Sequence, residues 1–160
     1  MGRFRITQDG YNKIKAELDH LLNVERPAIA KAISEARELG DLSENQEYSS
    51  SKEKQSVIEG MISSLSKKLA DAEIVDITKC SGEEIGFGAI VHLVDEDTNK
   101  EIKYQILSEY EADISKGKIS IESPIAKALI GKIVGESVEI KIPSGVKNYE
   151  ILNIEWGKLI

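Results

Sequence analysis

The chain has 160 residues, enough for one domain or two small ones, with 41% hydrophobic and 31% charged residues, the balance of an ordinary soluble protein. No apolar run approaches the roughly 20 residues that span a membrane, so no membrane partner is expected. The net charge of −7 argues against general nucleic-acid binding, because such binding needs a basic surface to displace counterions.

Cysteine and histidine are too scarce for two common kinds of site. One cysteine, Cys80, rules out an internal disulfide, and two histidines, His20 and His92, do not make a zinc-ligand cluster. We interpret Cys80 and His92 as structural residues. The N-terminus lacks the apolar core and cleavage site of a secretory signal, and we expect a cytoplasmic protein.

A first long helix is predicted over residues 8–40, with Thr7 as its N-cap. Pro27 interrupts it, because a proline inside a helix removes a hydrogen bond and clashes with the preceding turn. We interpret Pro27 as a kink or local loosening, after which the pattern resumes at Ile29. The apolar residues recur at steps of three and four, the spacing of one helix face: Tyr11, Ile14, Leu18, Leu21, Leu22, Ala28, Ile29, Ala32, Ile33, Ala36 and Leu39.

A second helix is predicted over residues 44–74, opened by a capping box with Ser43 as N-cap and Gln46 as the third helical residue. Each helix measures roughly 45–50 Å, and a connection of three or four residues makes the pair an antiparallel hairpin. A plain coiled-coil dimerisation hairpin is the simplest alternative function. The second apolar face consists of Tyr48, Val57, Ile58, Met61, Ile62, Leu65, Leu69 and Ala72.

From Ile74 onward, β-branched residues, glycines and an alternation of apolar and polar residues replace the helical pattern. Two strands are predicted within residues 85–107, with a hairpin connection at residues 95–99, and two more over residues 137–142 and 149–156. A short helix is predicted from Pro124 to Leu129, with Ser123 as N-cap and Gly131 closing it.

These elements predict an α+β chain with two domains. The first, over residues 1–76, is a long antiparallel coiled-coil hairpin with an acidic tip at residues 40–45. The second, over residues 80–160, is a small antiparallel β-sheet domain with one short helix.

Two acids, Asp41 and Glu44, lie at the predicted tip, between a helix stop signal at Gly40 and a start signal at Ser43. Solvated capping charges are the ordinary interpretation, since the positive end of the helix dipole favours acids in the first turn. The alternative is Mg²⁺, which keeps several waters and is typically held by one or two carboxylates plus substrate phosphates. The pair forms an incomplete site, so further ligands must come from elsewhere.

The run from Ala36 to Tyr48, AREL-GDLSENQEY, resembles the signature A-R-E-x-G-D-L-x-E-N-x-E-Y of the GreA/GreB family of bacterial transcript cleavage factors. GreA members are the closer fit. The resemblance covers nearly the whole chain in order, with further counterparts at residues 18–27, 72–76, 87–89, 111–113 and 120–132.

The resemblance implies an N-terminal antiparallel coiled coil and a C-terminal domain of FKBP-like fold. The C-terminal domain would dock on bacterial RNA polymerase at the rim of its secondary channel, and the coiled coil would enter that channel. Asp41 and Glu44 match the acids that help hold the second, weakly bound Mg²⁺ of the polymerase active site and position the attacking water. The polymerase then cleaves backtracked nascent RNA near its 3′ end. The implied protein is a monomeric accessory factor, with no enzyme activity or cofactor of its own.

Four more residues match family positions near the tip and are implied contacts of RNA or of the channel: Arg37, Asn45, Tyr48 and Lys52. Tyr48 has an alternative as a packing residue on the first helix, and Arg37 and Lys52 as part of a solvated helix face. Two departures from the family pattern reduce the positive charge near the tip. Ser43 replaces a common Lys, and residues 49–51 are serines in place of a His-Ala-Ala type run.

Two other functions remain open. A polymerase inhibitor of the same fold would use the same channel, but the regular spacing of Asp41 and Glu44, without extra tip acids, favours activation. An FKBP-like prolyl isomerase or chaperone would leave the hairpin unexplained, and fold alone does not carry that activity. The aromatic residues that could line an isomerase pocket are few: Phe87, Tyr104, Tyr110, Tyr149 and Trp156.

Overall fold

The computed structural model describes residues 3–40 and 45–160. Residue contacts divide the chain into two compact units. The hairpin unit contains residues 11–72, and the globular unit contains residues 3–10 together with residues 73–160. Among the described residues, no helix has both the length and the apolar character needed to cross a membrane.

Three helical segments replace the predicted first helix: α1 (Gln8–His20), a π-helical turn (Leu21–Glu25) and α2 (Arg26–Arg37). Pro27 lies in the first turn of α2, where its missing amide hydrogen is tolerated. The turn before it is π-helical, the wider form in which a helix accommodates a local irregularity. The predicted loosening is confirmed. Thr7 is confirmed as the N-cap, because its Oγ1 accepts the Gly10 amide at 3.1 Å.

Helices α2 and α3 (Gln46–Asp71) form the predicted antiparallel hairpin, joined near its middle by the Arg26–Glu59 ion pair. Both hydrogen bonds of that pair measure 2.8 Å. The mutual hydrogen bond raises the pKa of Arg26 and lowers the pKa of Glu59. The buried side chains of α2 are Ile29, Ile33 and Ala36, and those of α3 are Ile58, Ile62 and Leu65, so each helix has one buried apolar face.

The boundaries and the apolar face of the second helix differ from the prediction. This helix ends at Asp71 because Ala72–Ile74 form a strand, β2. Val57 and Met61, assigned to the packed face, are 62% and 41% exposed. They are adjacent to Ile58 and Ile62, so the true packing face is narrower than the run of apolar residues suggests.

The N-terminal strand β1 (Phe4–Ile6) pairs with β2 and belongs to the globular unit. The Glu111 carboxylate accepts hydrogen bonds from the hydroxyls of Thr7 and Ser108. Gly10 lies directly against this carboxylate, since a Cβ there would meet the Glu111 Cδ at 2.6 Å. The Phe4 ring packs against Tyr110 with centroids 5.4 Å apart.

The globular unit is built on a five-stranded sheet in the order β5-β4-β3-β7-β6. Its strands are β3 (Ile90–Asp95), β4 (Glu101–Leu107), β5 (Lys118–Ser120), β6 (Ser137–Ile142) and β7 (Gly145–Glu155). Neighbouring strands are antiparallel except β4 and β5, which run parallel in the register Ile106 with Ile119. The sheet is therefore mixed, and the predicted all-antiparallel sheet is wrong.

One short helix, α4 (Pro124–Leu129), packs on this sheet as predicted, with Ser123 capping it by accepting the Ala126 amide at 3.2 Å. Gly131 follows with φ +85°, which confirms its role as a helix terminator. The core between α4 and the sheet consists of Ile85, Ala89, Val91, Leu93, Ile106, Ile119, Ala126, Leu129, Val138, Ile140 and Ile151.

Gln105 is a polar residue buried completely in this unit, and its amide holds residues 158–160 against strand β4. The Gln105 Nε2 donates to the Gly88 and Lys158 carbonyls at 3.1 and 2.7 Å, and Oε1 accepts the Ile160 amide at 3.1 Å. The Gln105 amide therefore makes three hydrogen bonds, donating both hydrogens of Nε2 and accepting one at Oε1.

Replacing Gln105 by methionine is expected to destabilise the globular unit by about 2–3 kcal/mol, because buried backbone groups lose their partners without gaining water. Urea unfolding followed by the fluorescence of Trp156, the one tryptophan of the chain, measures this unit specifically. Asn153→Leu, which removes an exposed amide of β7, serves as the control. A Gln105→Met protein as stable as its parent would show that the bonds contribute nothing.

The connection predicted at residues 95–99 is confirmed, and the Asp95 carboxylate organises it. This carboxylate accepts the Asp97 amide at 2.9 Å and the Thr98 amide at 3.3 Å, and it pairs with Lys147 Nζ at 3.1 Å. The backbone hydrogen bond from Asp97, followed by the bond from Lys147, lowers the pKa of Asp95. The same ion pair raises the pKa of Lys147.

Because the folded state lowers the pKa of Asp95, its contribution to stability is present above the ordinary Asp pKa, about 3.9, and is lost as the pH falls through the lowered value. Asp95→Asn should therefore lower the urea midpoint at pH 7 and change it less at an acid pH below the lowered pKa. Glu139→Gln, at an exposed position of β6, controls for the loss of one charge. An equal effect of Asp95→Asn at both pH values would contradict the assignment.

Candidate functional site at the hairpin tip

Four residues of the predicted tip, Asp41, Leu42, Ser43 and Glu44, lie outside the described residues. The structure describes the chain on either side of them, at the end of α2 and the start of α3. Helix α2 ends at Arg37 with Glu38 as its C-cap, and Gly40 follows with φ +127°, a conformation that favours glycine. The helix therefore stops three residues earlier than predicted, and Gly40 lies in the turn after it and does not itself end the helix.

Asn45, not Ser43, is the N-cap of α3. Its Oδ1 accepts the backbone amide of Tyr48 at 3.0 Å, and the helix begins at Gln46. The predicted capping box is therefore wrong, since Gln46 is the first helical residue and not the third. Asparagine and serine are about equally good N-cap residues, so this preference alone does not choose between the two positions.

The other end of the Asn45 amide reaches across to the first helix. Its Nδ2 donates to the Ala36 carbonyl at 2.6 Å. Ala36 is buried in the last turn of α2, and the same carbonyl accepts the Leu39 amide at 3.1 Å. The Asn45 side chain therefore links the last turn of α2 to the first turn of α3.

Arg37 and Tyr48 add a second contact between the helices. The Arg37 guanidinium carbon lies 5.8 Å from the centre of the Tyr48 ring, within the range of a cation–π interaction. Tyr48 is half-buried and Arg37 is exposed. We call Ala36, Arg37, Asn45 and Tyr48 the tip clamp, because their contacts join α2 to α3 immediately behind the tip.

Lys52, one turn beyond Tyr48, projects from α3 into solvent. Its Nζ donates to Oε1 of the half-buried Gln55 at 3.2 Å. Leu39, assigned to the packed face from its spacing, is 66% exposed. It borders a shallow groove along the hairpin that is lined by Ala32, Glu35, Leu39, Gln46, Glu47, Ser50 and Ser51.

The charge near the tip is acidic. Residues 31–55 contain four Lys or Arg and six Asp or Glu, counting Asp41 and Glu44. Such a segment attracts a cation and repels an RNA backbone unless a partner supplies positive charge. Within residues 3–40 and 45–160, no group of three or more His, Cys, Asp or Glu side chains is arranged to hold a metal ion.

The remaining candidate residues of the globular unit have structural partners. His92 Nε2 lies 2.6 Å from Glu155 Oε2, and this hydrogen bond is the main cause of the lowered pKa of Glu155. The Cys80 thiol lies 3.7 Å from the Asp76 carbonyl. Trp156 donates its Nε1 hydrogen to the Gly82 carbonyl at 3.0 Å.

Comparison with known proteins gives the class of this chain. The family model described as the N-terminal part of transcription elongation factors GreA and GreB matches residues 4–74, and the C-terminal GreA/GreB model matches residues 80–156. The chain belongs to the GreA/GreB family of transcription elongation factors.

Individual relatives are similar over nearly their whole length. Transcription elongation factor GreA of Rickettsia prowazekii is 54% identical over 157 residues, covering 98% of this chain and 97% of that protein. GreA of Phenylobacterium zucineum is 51% identical over 156 residues, covering 98% and 99%. A solved structure of the transcription factor Gfh1 is 28% identical and covers 97% of this chain and 99% of its own, with a TM-score of 0.46.

Proposed function

We propose that this chain binds bacterial RNA polymerase, inserts its helical hairpin into the secondary channel and stimulates Mg²⁺-dependent cleavage of backtracked nascent RNA by the polymerase. The observation that carries the proposal is the position of the motif from Ala36 to Tyr48, which spans the turn of an antiparallel hairpin. Asp41 and Glu44 belong to that motif. This role would rescue arrested transcription complexes.

The dimensions of the hairpin support insertion. Helix α3 has 26 residues and is therefore about 39 Å long, and two packed helices are roughly 20 Å wide. The side chains between them are mostly aliphatic near the middle, while Ala36 lets the helices approach closely at the tip clamp. A narrow rod of this kind carries its end residues away from its own base, where a partner can surround them.

The chemistry explains why two acids are enough. Mg²⁺ prefers oxygen ligands and is commonly shared between one or two protein carboxylates and substrate phosphates. At a phosphodiester, such an ion lowers the pKa of its bound water and stabilises the charge that develops on phosphate. Asp41 and Glu44 would complete a Mg²⁺ site of the polymerase and accept a hydrogen bond from the attacking water. The chain is then an accessory factor and the polymerase is the enzyme.

The other parts of the chain have supporting roles in this proposal. The globular unit, which we infer to be FKBP-like, docks at the channel rim, and the protein acts as a monomer. Arg37 and Lys52 are exposed and carry positive charge on either side of the tip, so they are suited to contact RNA phosphates or the channel wall. Tyr48 contacts Arg37 in the clamp and presents its partly exposed ring beside it.

The direct test adds the purified protein to bacterial RNA polymerase halted in a backtracked state, with Mg²⁺ and 5′-labelled RNA. We expect rapid shortening of the RNA from its 3′ end and recovery of elongation. Slower elongation without cleavage would indicate a channel-binding inhibitor and contradict the proposal, as would an absence of any effect.

A further inference from the structure

We propose that Asn45 is a positioning residue for the tip acids, not a contact residue for RNA or the channel wall. This inference rests on the proposed function and concerns how the tip is held when it works. Its basis is that both ends of the Asn45 amide are already engaged, one by Ala36 of α2 and the other by Tyr48 of α3.

The geometry of the bridge is specific to asparagine. The hydrogen bond from Asn45 Nδ2 to the Ala36 carbonyl measures 2.6 Å, and the bond from the Tyr48 amide to Asn45 Oδ1 measures 3.0 Å. A single planar amide therefore spans the gap between the two helix ends. Aspartate would keep the cap, but its carboxylate has no hydrogen to donate to the Ala36 carbonyl, so the bond to α2 would be lost. Serine would keep a capping oxygen but is too short to reach both partners.

The bridge closes the segment that contains the acids. Eight residues, 37–44, connect Ala36 to Asn45. Without the bridge, the ends of this segment are joined only by the Arg37–Tyr48 contact and by the apolar packing of α2 behind it, where Ala36 is buried. A metal-binding carboxylate must be held to within a fraction of an ångström, and a displacement of about 1 Å can lower a rate by about 100-fold.

Variants of Asn45 separate the cap from the bridge. Asn45→Asp keeps the capping oxygen and places a negative charge at a helix N-terminus, where it is favourable, yet it loses the donor to Ala36. Asn45→Ser also keeps a cap and adds no charge. Asn45→Ala loses both functions. Glu59→Gln is the matched control, because it removes a different contact between α2 and α3, the Arg26 ion pair, at a distance from the tip.

In the free protein, amide hydrogen exchange over residues 36–48 should be faster in all three Asn45 variants and unchanged in Glu59→Gln. In the polymerase assay at saturating factor, both Asn45→Asp and Asn45→Ser should lower the cleavage rate at least tenfold and raise the Mg²⁺ concentration for half-maximal cleavage. The concentration of factor needed for half-saturation should not change.

Two results would overturn the positioning role. One is wild-type cleavage and a wild-type Mg²⁺ midpoint in Asn45→Asp and Asn45→Ser. The other is a higher half-saturating concentration with an unchanged maximal rate, which identifies a contact residue. Asp41→Ala distinguishes a failure of the proposed function: if that variant cleaves normally, both proposals fall, while hydrogen exchange still reports whether Asn45 bridges the helices.

Discussion

Asp41→Ala and Glu44→Ala are each expected to lower stimulated RNA cleavage by about 10²–10³-fold, the range seen when one group that stabilises a transition state is removed. Binding to the polymerase should persist, because the globular unit and the sides of the hairpin are unchanged. The measurement is the cleavage rate at saturating factor, together with competition against the parent protein for polymerase.

Two matched variants make this result specific. Asp41→Asn keeps the size of the side chain but removes its charge, and it should be nearly as defective as Asp41→Ala. Glu53→Gln removes an exposed acid from α3 outside the tip and should cleave normally. Normal cleavage by Asp41→Ala and Glu44→Ala would refute the assignment of these acids, and a parallel loss in Glu53→Gln would show that net charge alone matters.

Leu93→Ala should destabilise the globular unit by about 3–4 kcal/mol, within the range for truncating a buried leucine. Leu93 is fully buried in β3, the central strand, where it lies opposite Ile102 of β4 and Ile151 of β7. The cavity would be enclosed on both sides by paired strands, which limits collapse around it. The midpoint of thermal unfolding should fall by roughly 12 °C or more, since 1 kcal/mol corresponds to about 4–8 °C at this size.

Trp156 fluorescence follows this transition because the residue belongs to the globular unit. Leu152→Ala is the control: it makes the same chemical change in β7 at a position that is 38% exposed, and its effect should stay below about 1 kcal/mol. Equal effects of the two substitutions would show that burial in this sheet does not determine stability.

The helices were the most predictable part of the fold, because their apolar spacing persists over many turns. Even so, the boundaries needed information that spacing does not contain. Pro27 predicted a local loosening of the helix. That the loosening takes the form of a π-helical turn over Leu21–Glu25 depends on packing, which the spacing does not contain. Val57 and Met61 continue the apolar pattern of α3 yet face solvent, since the partner helix covers only a narrow strip.

The sheet shows a different limit. Strands β3, β4, β6 and β7 have clear alternation and turns between them, and they were predicted. Strand β5 has three residues, Lys118–Ser120, and no recognisable pattern of its own. It pairs in parallel with β4, and a parallel neighbour cannot be inferred from local turn residues because the connection is long.

At the tip, the family signature predicts which residues are functional, whereas the contacts of the tip clamp could only be found in the structure. Ser43 and Asn45 are both good N-cap residues, and local preference does not decide between them. The Ala36 carbonyl decides, because only the asparagine amide can cap α3 and reach α2 together.

We propose that this chain contributes carboxylates to a Mg²⁺ site of the polymerase. The most direct test measures the Mg²⁺ concentration for half-maximal cleavage of backtracked RNA without factor, with saturating parent protein and with saturating Asp41→Asn. We expect the parent protein to lower the Mg²⁺ midpoint well below the factor-free value and Asp41→Asn to leave it unchanged. A midpoint that is the same in all three reactions, with cleavage still stimulated by the parent, would contradict it.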